Sequence, residues 1–313
     1  MEKAMDSNRF DVIVLGGGPA GLTAGIYLAR AKAKALIIDS GITGGQTVLT
    51  YEVANYPGIE ITSGYQLSAT MRKQAENFGC KVIDNAKISD FSLDGEYKSF
   101  TINGIDKYEA KAVILATGGR SRTLNVNGED TYKGKGISYC ATCDGDFFQD
   151  KEIVVVGGGN SAMEEAHSLT KFASKVTILH EFDHFQAFDN AVKTAKENPK
   201  IDFILNSRIT EFKGSEKLEG IVYKNKNTGE INELNIDGVF VFIGYVANTE
   251  TLVDTNIKLN DRGEIITDDD LQTSIPGVYA AGDNRAVKYR QITTAVADGT
   301  IAALNAYTYA SKS

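Results

Sequence analysis

Asp11-Val-Ile-Val-Leu-Gly16-Gly-Gly18-Pro-Ala-Gly21 opens the ordered pattern of this chain, and its reading decides the fold. Asp11 to Leu15 is a short β-branched apolar run bounded by glycine, which reads as a buried strand. From Leu22 to Arg30 the apolar residues recur at helical spacing, so the motif Gly16-x-Gly18-x-x-Gly21 is the turn between a strand and a helix. In such a turn the first glycine permits the sharp bend and the second lets backbone approach a pyrophosphate. The third lets the helix pack close to the strand, and the helix N-terminus faces the phosphates. A second strand, Ala35-Leu-Ile-Ile-Asp39, ends on an acid about 20 residues further on, where a carboxylate accepts hydrogen bonds from ribose hydroxyls.

The pattern occurs twice. Glu152-Ile-Val-Val-Val156, Gly157-Gly-Gly-Asn-Ser-Ala162, a helix through about Phe172 and the strand Lys175 to His180 repeat strand, turn, helix and strand. The stretches Val82 to Ile114 and Phe203 to Val241 read as strands and turns, with Asp94-Gly95 and Asn103-Gly104 as hairpin signals. The last quarter returns to an apolar strand, Gly277 to Ala281, followed by Gly282-Asp283 and an alanine-rich helix from about Gln291 to Tyr307. An acid at the carboxyl end of such a strand lies in the ligand crevice of an open α/β sheet. The expected fold is α/β, with two Rossmann-like three-layer domains, the second inserted into the first. The first domain spans 1–118 and 246–313, and the insert spans 119–245.

A chain of 313 residues exceeds the size at which one core keeps growing, which agrees with two domains. A formal net charge of -8 opposes binding to nucleic acid, because neutralising phosphates requires clustered Lys and Arg. Met1 to Phe10 carries Glu2 and Asp6 and has no apolar core, and no run approaches a membrane span, so the expected location is cytoplasmic with no membrane partner.

There are three cysteines, Cys80, Cys140 and Cys143, too few for a disulfide scaffold. Cys140-Ala-Thr-Cys143 places two sulfurs within reach of one another, which reads as redox or metal chemistry. Four-ligand zinc needs a second pair, and the remaining candidates, Cys80, His167, His180 and His184, include none in paired metal-ligand spacing with another cysteine, so no metal is expected. Asp144 follows the pair directly, and a carboxylate beside a dithiol can act as general acid and base. Asp146 reads as solvated loop charge, and Cys80 as a small buried hydrophobe.

Gly16 to Gly21, Gly44-Gly-Gln46, Asn55-Tyr-Pro-Gly58, Ala116-Thr-Gly118, Cys140-Ala-Thr-Cys-Asp144, Gly282-Asp283 and Arg290-Gln291 together resemble the low-molecular-weight thioredoxin reductases, in family order and over nearly the whole chain. The resemblance implies a homodimer with FAD in the discontinuous domain and a redox disulfide in the insert. It implies that Gly16, Gly18, Pro19, Ala20, Gly21, Asp39, Gly45, Ala116, Thr117, Gly118, Gly282 and Ile292 line the FAD site. Gln46 and Asn55 would approach the flavin and Asp283 the ribityl chain, while Arg290 and Gln291 begin a helix whose positive end faces the ring. Cys143 would be the sulfur nearest the flavin, Cys140 the attacker of the thioredoxin disulfide, and Asp144 the proton carrier.

One run departs from the family. NADPH-using members carry His-Arg-Arg and a further Arg four positions on, where this chain reads His180-Glu181-Phe182-Asp183-His184-Phe185-Gln186. Each charge-assisted hydrogen bond to the 2′-phosphate contributes about 1.5–3 kcal/mol, and Glu181 adds repulsion, so NADPH is expected to bind poorly. Gly157-x-Gly159-x-x-Ala162 is intact, and Glu181 could accept ribose hydroxyls of NADH. The alternative is a glycine turn kept for packing, with ferredoxin as donor, which looks like the ferredoxin-dependent flavin thioredoxin reductases of anaerobic bacteria. Plant-type ferredoxins near about -400 mV lie roughly 130 mV below thioredoxin, a drop of about 6 kcal/mol per two electrons. The reading favours ferredoxin over NADH, and a non-catalytic flavin redox sensor is the remote third reading. An acidic ferredoxin would need a basic patch, with Lys32, Lys34, Arg72 and Lys73 as candidates. Ala306-Tyr-Thr-Tyr309 either finishes the last helix or offers an aromatic ring to the flavin, and the helix is favoured.

Overall fold

The computed structural model describes residues 8–50 and 53–312. Along the chain run β1 (Arg9–Leu15), α1 (Pro19–Arg30), β2 (Ala35–Ile38), α2 (Gly64–Asn77), β3 (Lys81–Ile83), β4 (Ile88–Ser92), β5 (Lys98–Ile102) and β6 (Asp106–Leu115). They are followed by β7 (Glu152–Val156), α3 (Asn160–Leu169), β8 (Lys175–Leu179), β9 (Val278–Ala280) and α4 (Ile292–Lys312), with shorter elements between. The chain divides into two compact units, Met1–Arg120 with Val246–Ser313, and Ser121–Tyr245.

In the first unit the sheet order is β3-β2-β1-β6-β5-β4, and β9 also pairs with β6. The long strand β6 is shared. Its first half pairs antiparallel with β5, and its last residues Val113 to Leu115 pair parallel with Val278 to Ala280. β1 shows why four consecutive apolar residues can all be buried. Val12 and Val14 pack with residues of α1, α2 and α4, whereas Ile13 and Leu15 pack with Phe100, Leu252, Ile265 and Ile275 on the opposite face. Both faces of this strand are covered, as a parallel sheet between two layers requires. The connection between β5 and β6 is the three residues Asn103 (φ 52°), Gly104 (φ 70°) and Ile105, with the Ile105 N–H donating to the Ile102 carbonyl at 3.1 Å, so the Asn-Gly pair supplies the two left-handed positions of the turn.

α1 begins at Pro19, earlier than the apolar spacing from Leu22 suggests, because proline is preorganised for the first helical position. α4 continues past Tyr307 to Lys312, so the aromatic tail finishes the helix. Its small residues Ala295, Gly299, Ala302, Ala303 and Ala306 are buried, and Gly299 lies so close to α1 that a Cβ there would stand 2.2 Å from the Ala20 carbonyl oxygen. Tyr309 packs over Gly277 and near the Nζ of the fully buried Lys98.

The second unit has a parallel sheet in the order Ile201–Ile204, β8, β7, Gly238–Val241 and Ile137–Ser138, beside an antiparallel sheet of Ser207–Gly214, Leu218–Asn225 and Ile231–Asn235. α3 ends at Leu169, short of Phe172. The chain there tightens into a turn in which the Lys171 and Phe172 N–H groups donate to Ser168 and Leu169. Among the described residues no helix is long and apolar enough to cross a membrane.

Candidate functional site

In the first unit four strands end in register. Leu15 of β1 lies beside Ile38 of β2 and Leu115 of β6, and Leu115 lies beside Ala280 of β9. The residues that follow those ends are Gly16, Asp39, Ala116 and Ala281, so four parallel strands deliver the predicted motifs to one carboxyl edge, the ligand side of such a sheet.

Gly16 has φ +109°, and a Cβ on it would stand 2.2 Å from the Ala116 carbonyl oxygen. At Gly21 a Cβ would stand 1.8 Å from the Gly16 carbonyl oxygen, so the helix sits directly on the turn. Gly18 is different. A Cβ there would meet nothing nearer than Gly45 at 4.0 Å, which leaves the backbone open to a ligand. Gly18 caps α1 with no side-chain hydrogen bond and Pro19 follows it, so the first turn keeps its N–H groups for an anion.

Around that cradle Asp39 orders the loops. Its carboxylate accepts the Gly17 N–H at 2.6 Å and the Gly41 N–H at 2.7 Å, and Gly44 N–H donates to the Gly17 carbonyl at 2.7 Å. Gly45 (φ +58°) starts the short helix that carries the exposed Gln46. Asn55 is exposed in a segment closed by the paired residues Val53 and Thr62. Thr43 rests on Asp84, which Arg72 of α2 also engages, and hydrogen bonds from both hold that carboxylate below its ordinary range against the opposing effect of burial. Arg72 also pairs with Glu76, and Lys34 covers the Phe10 ring. Arg72 is therefore already ion-paired, while Lys34 stays exposed.

On the far side of the edge Gly118 has φ +60° and open space where a Cβ would stand. Thr117 donates its hydroxyl to the Asn248 carbonyl at 2.7 Å and accepts the Asn248 side-chain amide at its own carbonyl, 2.9 Å. Asn284 is wholly buried and donates to Leu115 and Thr117, while its Oδ1 has no partner among the described residues. Asp283 is pushed up to about 6 by burial, with Arg290 opposing the shift and Asp298 adding to it. Arg285 grips Asp298 with two nitrogens, and Gly282 N–H donates to the same carboxylate. Arg290 pairs with Glu264, and Gln291 precedes Ile292 at the start of α4. An open glycine cradle at an uncapped helix start, a carboxylate about 20 residues on and an orphaned buried amide oxygen together fit a dinucleotide cofactor. Asn248, Asn284, Asp298 and Glu264 had no signature in the sequence, because each acts on a partner remote along the chain.

In the second unit Ser138 lies beside Phe240, and two residues later the chain reaches Cys140. Cys140 and Cys143 form a disulfide, with Cα atoms 5.3 Å apart. Cys140 Sγ accepts the Cys143 N–H at 3.2 Å across the one-turn helix Ala141–Asp144. Ser138 donates its hydroxyl to Asp144 Oδ2 at 2.6 Å and accepts the Cys140 N–H at 3.0 Å. Burial raises the Asp144 carboxyl above its ordinary range, with Ser138 lowering it and Asp146 raising it. On the other side Tyr139 donates to the buried Glu129, whose carboxylate also takes the Leu124 and Asn125 N–H groups. The redox turn is thus tied down on both flanks. Cys80 is remote in character: burial pushes its thiol up to about 12.

At the second glycine turn the chain packs closely against Gly158, as Asp39 does against Gly17 in the first. At Gly158 a Cβ would stand 2.3 Å from the His180 ring, which stacks on Phe185, and Gln186 N–H donates to the Gly158 carbonyl at 2.9 Å. Gly159 remains open. Among the described residues no cluster of His, Cys, Asp and Glu could hold a metal ion.

Two Rossmann-like sheets, one with an open glycine cradle and the other with a Cys-x-x-Cys disulfide beside a half-buried carboxyl, define the class of flavin disulfide oxidoreductases. The family model described as pyridine nucleotide-disulphide oxidoreductase matches residues 10–299, and the chain belongs to that family. It is 48% identical over 311 residues to a thioredoxin reductase of Peptoclostridium acidaminophilum, covering 96% of this chain and 97% of that one. It is 42% identical over 304 residues to a 34.2 kDa protein in the rubredoxin operon of Clostridium pasteurianum, covering 97% and 98%. Among solved structures, the thioredoxin reductase from Streptococcus pyogenes MGAS5005 superposes with a TM-score of 0.93 at 41% identity, covering 98% of this chain and 99% of that one. The expected fold class is observed, and FAD is the cofactor of the family's thioredoxin reductases.

Proposed function

We propose that this chain reduces the disulfide of thioredoxin through Cys140 and Cys143, with ferredoxin as the electron donor. The observation that carries the reading is the Cys140–Cys143 disulfide with the half-buried Asp144 carboxyl immediately after it. A carboxyl raised by burial keeps its proton to a higher pH than a surface acid, which suits it to protonate a thiolate as it forms. Cys140 is the attacking sulfur and Cys143 the resolving one. When bound, FAD supplies the conversion between one-electron and two-electron transfer. The cofactor is held by Gly16, Gly18, Pro19, Ala20 and Gly21 at the pyrophosphate and by Asp39 at the ribose. Gly45, Gln46, Asn55, Ala116, Thr117, Gly118, Gly282, Asp283, Arg290, Gln291 and Ile292 complete the site.

Support for ferredoxin comes from the segment where a 2′-phosphate would be clamped. Glu181 pairs with Lys226 at 2.8 Å, Phe182 lies under that same lysine, and Gln186 reaches the glycine turn through its backbone. The Clostridium pasteurianum relative is described as a protein in the rubredoxin operon. A second reading, with NADH as donor, is favoured by the open Gly159. On that reading Glu181→Ala raises the apparent KM for NADH strongly. A homodimer in the cytoplasm completes the proposal. The test of the reductase reading is steady-state turnover of holoenzyme with thioredoxin, electrons being supplied by reduced methyl viologen. Turnover that vanishes in Cys140→Ser supports it, and absence of turnover in the unaltered chain refutes it.

A further inference from the structure

We propose that Ser138 is a positioning residue for the disulfide chemistry, holding Oδ2 of Asp144 so that Oδ1 is the oxygen that exchanges the proton with the cysteine pair. The inference rests on the reductase reading above. Ser138 is 5% exposed at the end of a strand paired with Gly238–Val241, so its hydroxyl has a fixed origin. That hydroxyl has one hydrogen. At 2.6 Å from Asp144 Oδ2 it is committed to the carboxyl, while the 3.3 Å approach to the Cys140 carbonyl is the weaker alternative. Its oxygen accepts the Cys140 N–H, so a single side chain fixes both the backbone of one sulfur and the carboxyl beside the other.

With Oδ2 engaged, the remaining proton site is Oδ1. The electron pair that breaks the S–S bond leaves negative charge on both sulfurs. Oδ1–H passes its proton to one of them, Asp144 becomes a carboxylate, and the second thiolate remains as the nucleophile. A proton from solvent restores Asp144. The electron pair is the one delivered in the reductase reading, so atoms and charge balance without a further reactant. Without Ser138 the carboxyl is free to rotate and the Cys140 N–H loses its acceptor, so the group is present but no longer aimed.

The experiment measures kcat and KM for thioredoxin with holoenzyme and reduced methyl viologen. Ser138→Ala should lower kcat roughly tenfold or more with KM nearly unchanged, and Ser138→Thr, which keeps the hydroxyl, should recover most of it. Asp144→Asn lowers kcat, and adding Ser138→Ala to it should cost much less than Ser138→Ala costs alone, because the two act chiefly through one group. Should Ser138→Ala fail to fold, Ser138→Thr and Ser138→Val give the same comparison at nearly equal shape. Wild-type kcat in Ser138→Ala, equal activity of the Thr and Val variants, or losses that multiply in the double variant would overturn the proposal. If the unaltered enzyme does not turn over thioredoxin, the reductase reading fails instead, and the same variants are compared with 5,5′-dithiobis(2-nitrobenzoate) as the disulfide.

Discussion

Lys226 holds Glu181 in an ion pair, Nζ to Oε1 at 2.8 Å, and lies 5.0 Å from the centre of the Phe182 ring. Lys226 is therefore already matched by a carboxylate, and an anion approaching this segment would have to compete with Glu181 for it.

On the proposed reading, arginines placed in the run His180 to Gln186 should bring in NADPH. Glu181→Arg, Phe182→Arg and Gln186→Arg together should strengthen NADPH binding by roughly ten- to a hundredfold for each arginine engaged, measured by calorimetric titration of holoenzyme. No gain in affinity would mean that the glycine turn itself, with His180 seated on Gly158, excludes the dinucleotide.

Replacing either sulfur should stop the reaction without emptying the first unit. Cys140→Ser or Cys143→Ser should lower thioredoxin turnover by a factor on the order of 10³ or more while the flavin content stays stoichiometric. Loss of flavin in these variants would show that the disulfide supports the fold instead.

Gly21→Ala tests the cradle. The new methyl would meet the Gly16 carbonyl oxygen at 1.8 Å, a backbone atom that cannot swing aside. The variant should lose about 1–3 kcal/mol or more in stability and retain little flavin, read from the melting temperature and the visible spectrum.

Asp283 ties stability to pH in the flavin-free chain. Its carboxyl is raised to about 6 in the fold, against about 3.9 in an unfolded chain. Below pH about 4 both states hold the proton, so the group is neutral to stability there. As pH rises from about 4 to 6 the unfolded chain releases its proton first, and the fold loses roughly 2–3 kcal/mol. Asp283→Asn should flatten the thermal-stability profile across that window and exceed the unaltered chain above it. An unchanged profile would place the titrating group elsewhere.

What was legible in the sequence is what repeats locally. Each glycine turn, the strand before it and the acid after the next strand lie within about 30 residues, so period and spacing expose them. The closing strand Val278–Ala280 was readable from its apolar run, and Asn103-Gly104 from the chemistry of its turn. What was not legible joins distant positions. Thr117 and Asn248 are 131 residues apart, Arg285 meets Asp298 across a loop and a helix turn, and Glu129 gathers donors from both the inserted unit's first segment and Tyr139. Ser138 was hidden differently: it is two residues from Cys140, yet a serine before a cysteine has no meaning until its hydroxyl is seen on Asp144.

On the proposed reading electrons enter from an iron–sulfur carrier and leave through Cys140 and Cys143. The most direct measurement of that path is the flavin absorption band of anaerobic holoenzyme mixed separately with reduced ferredoxin, NADH and NADPH. Rapid bleaching by reduced ferredoxin with the band unmoved by either nucleotide is the expected result. Rapid bleaching by NADPH or NADH, with none by ferredoxin, would contradict the account.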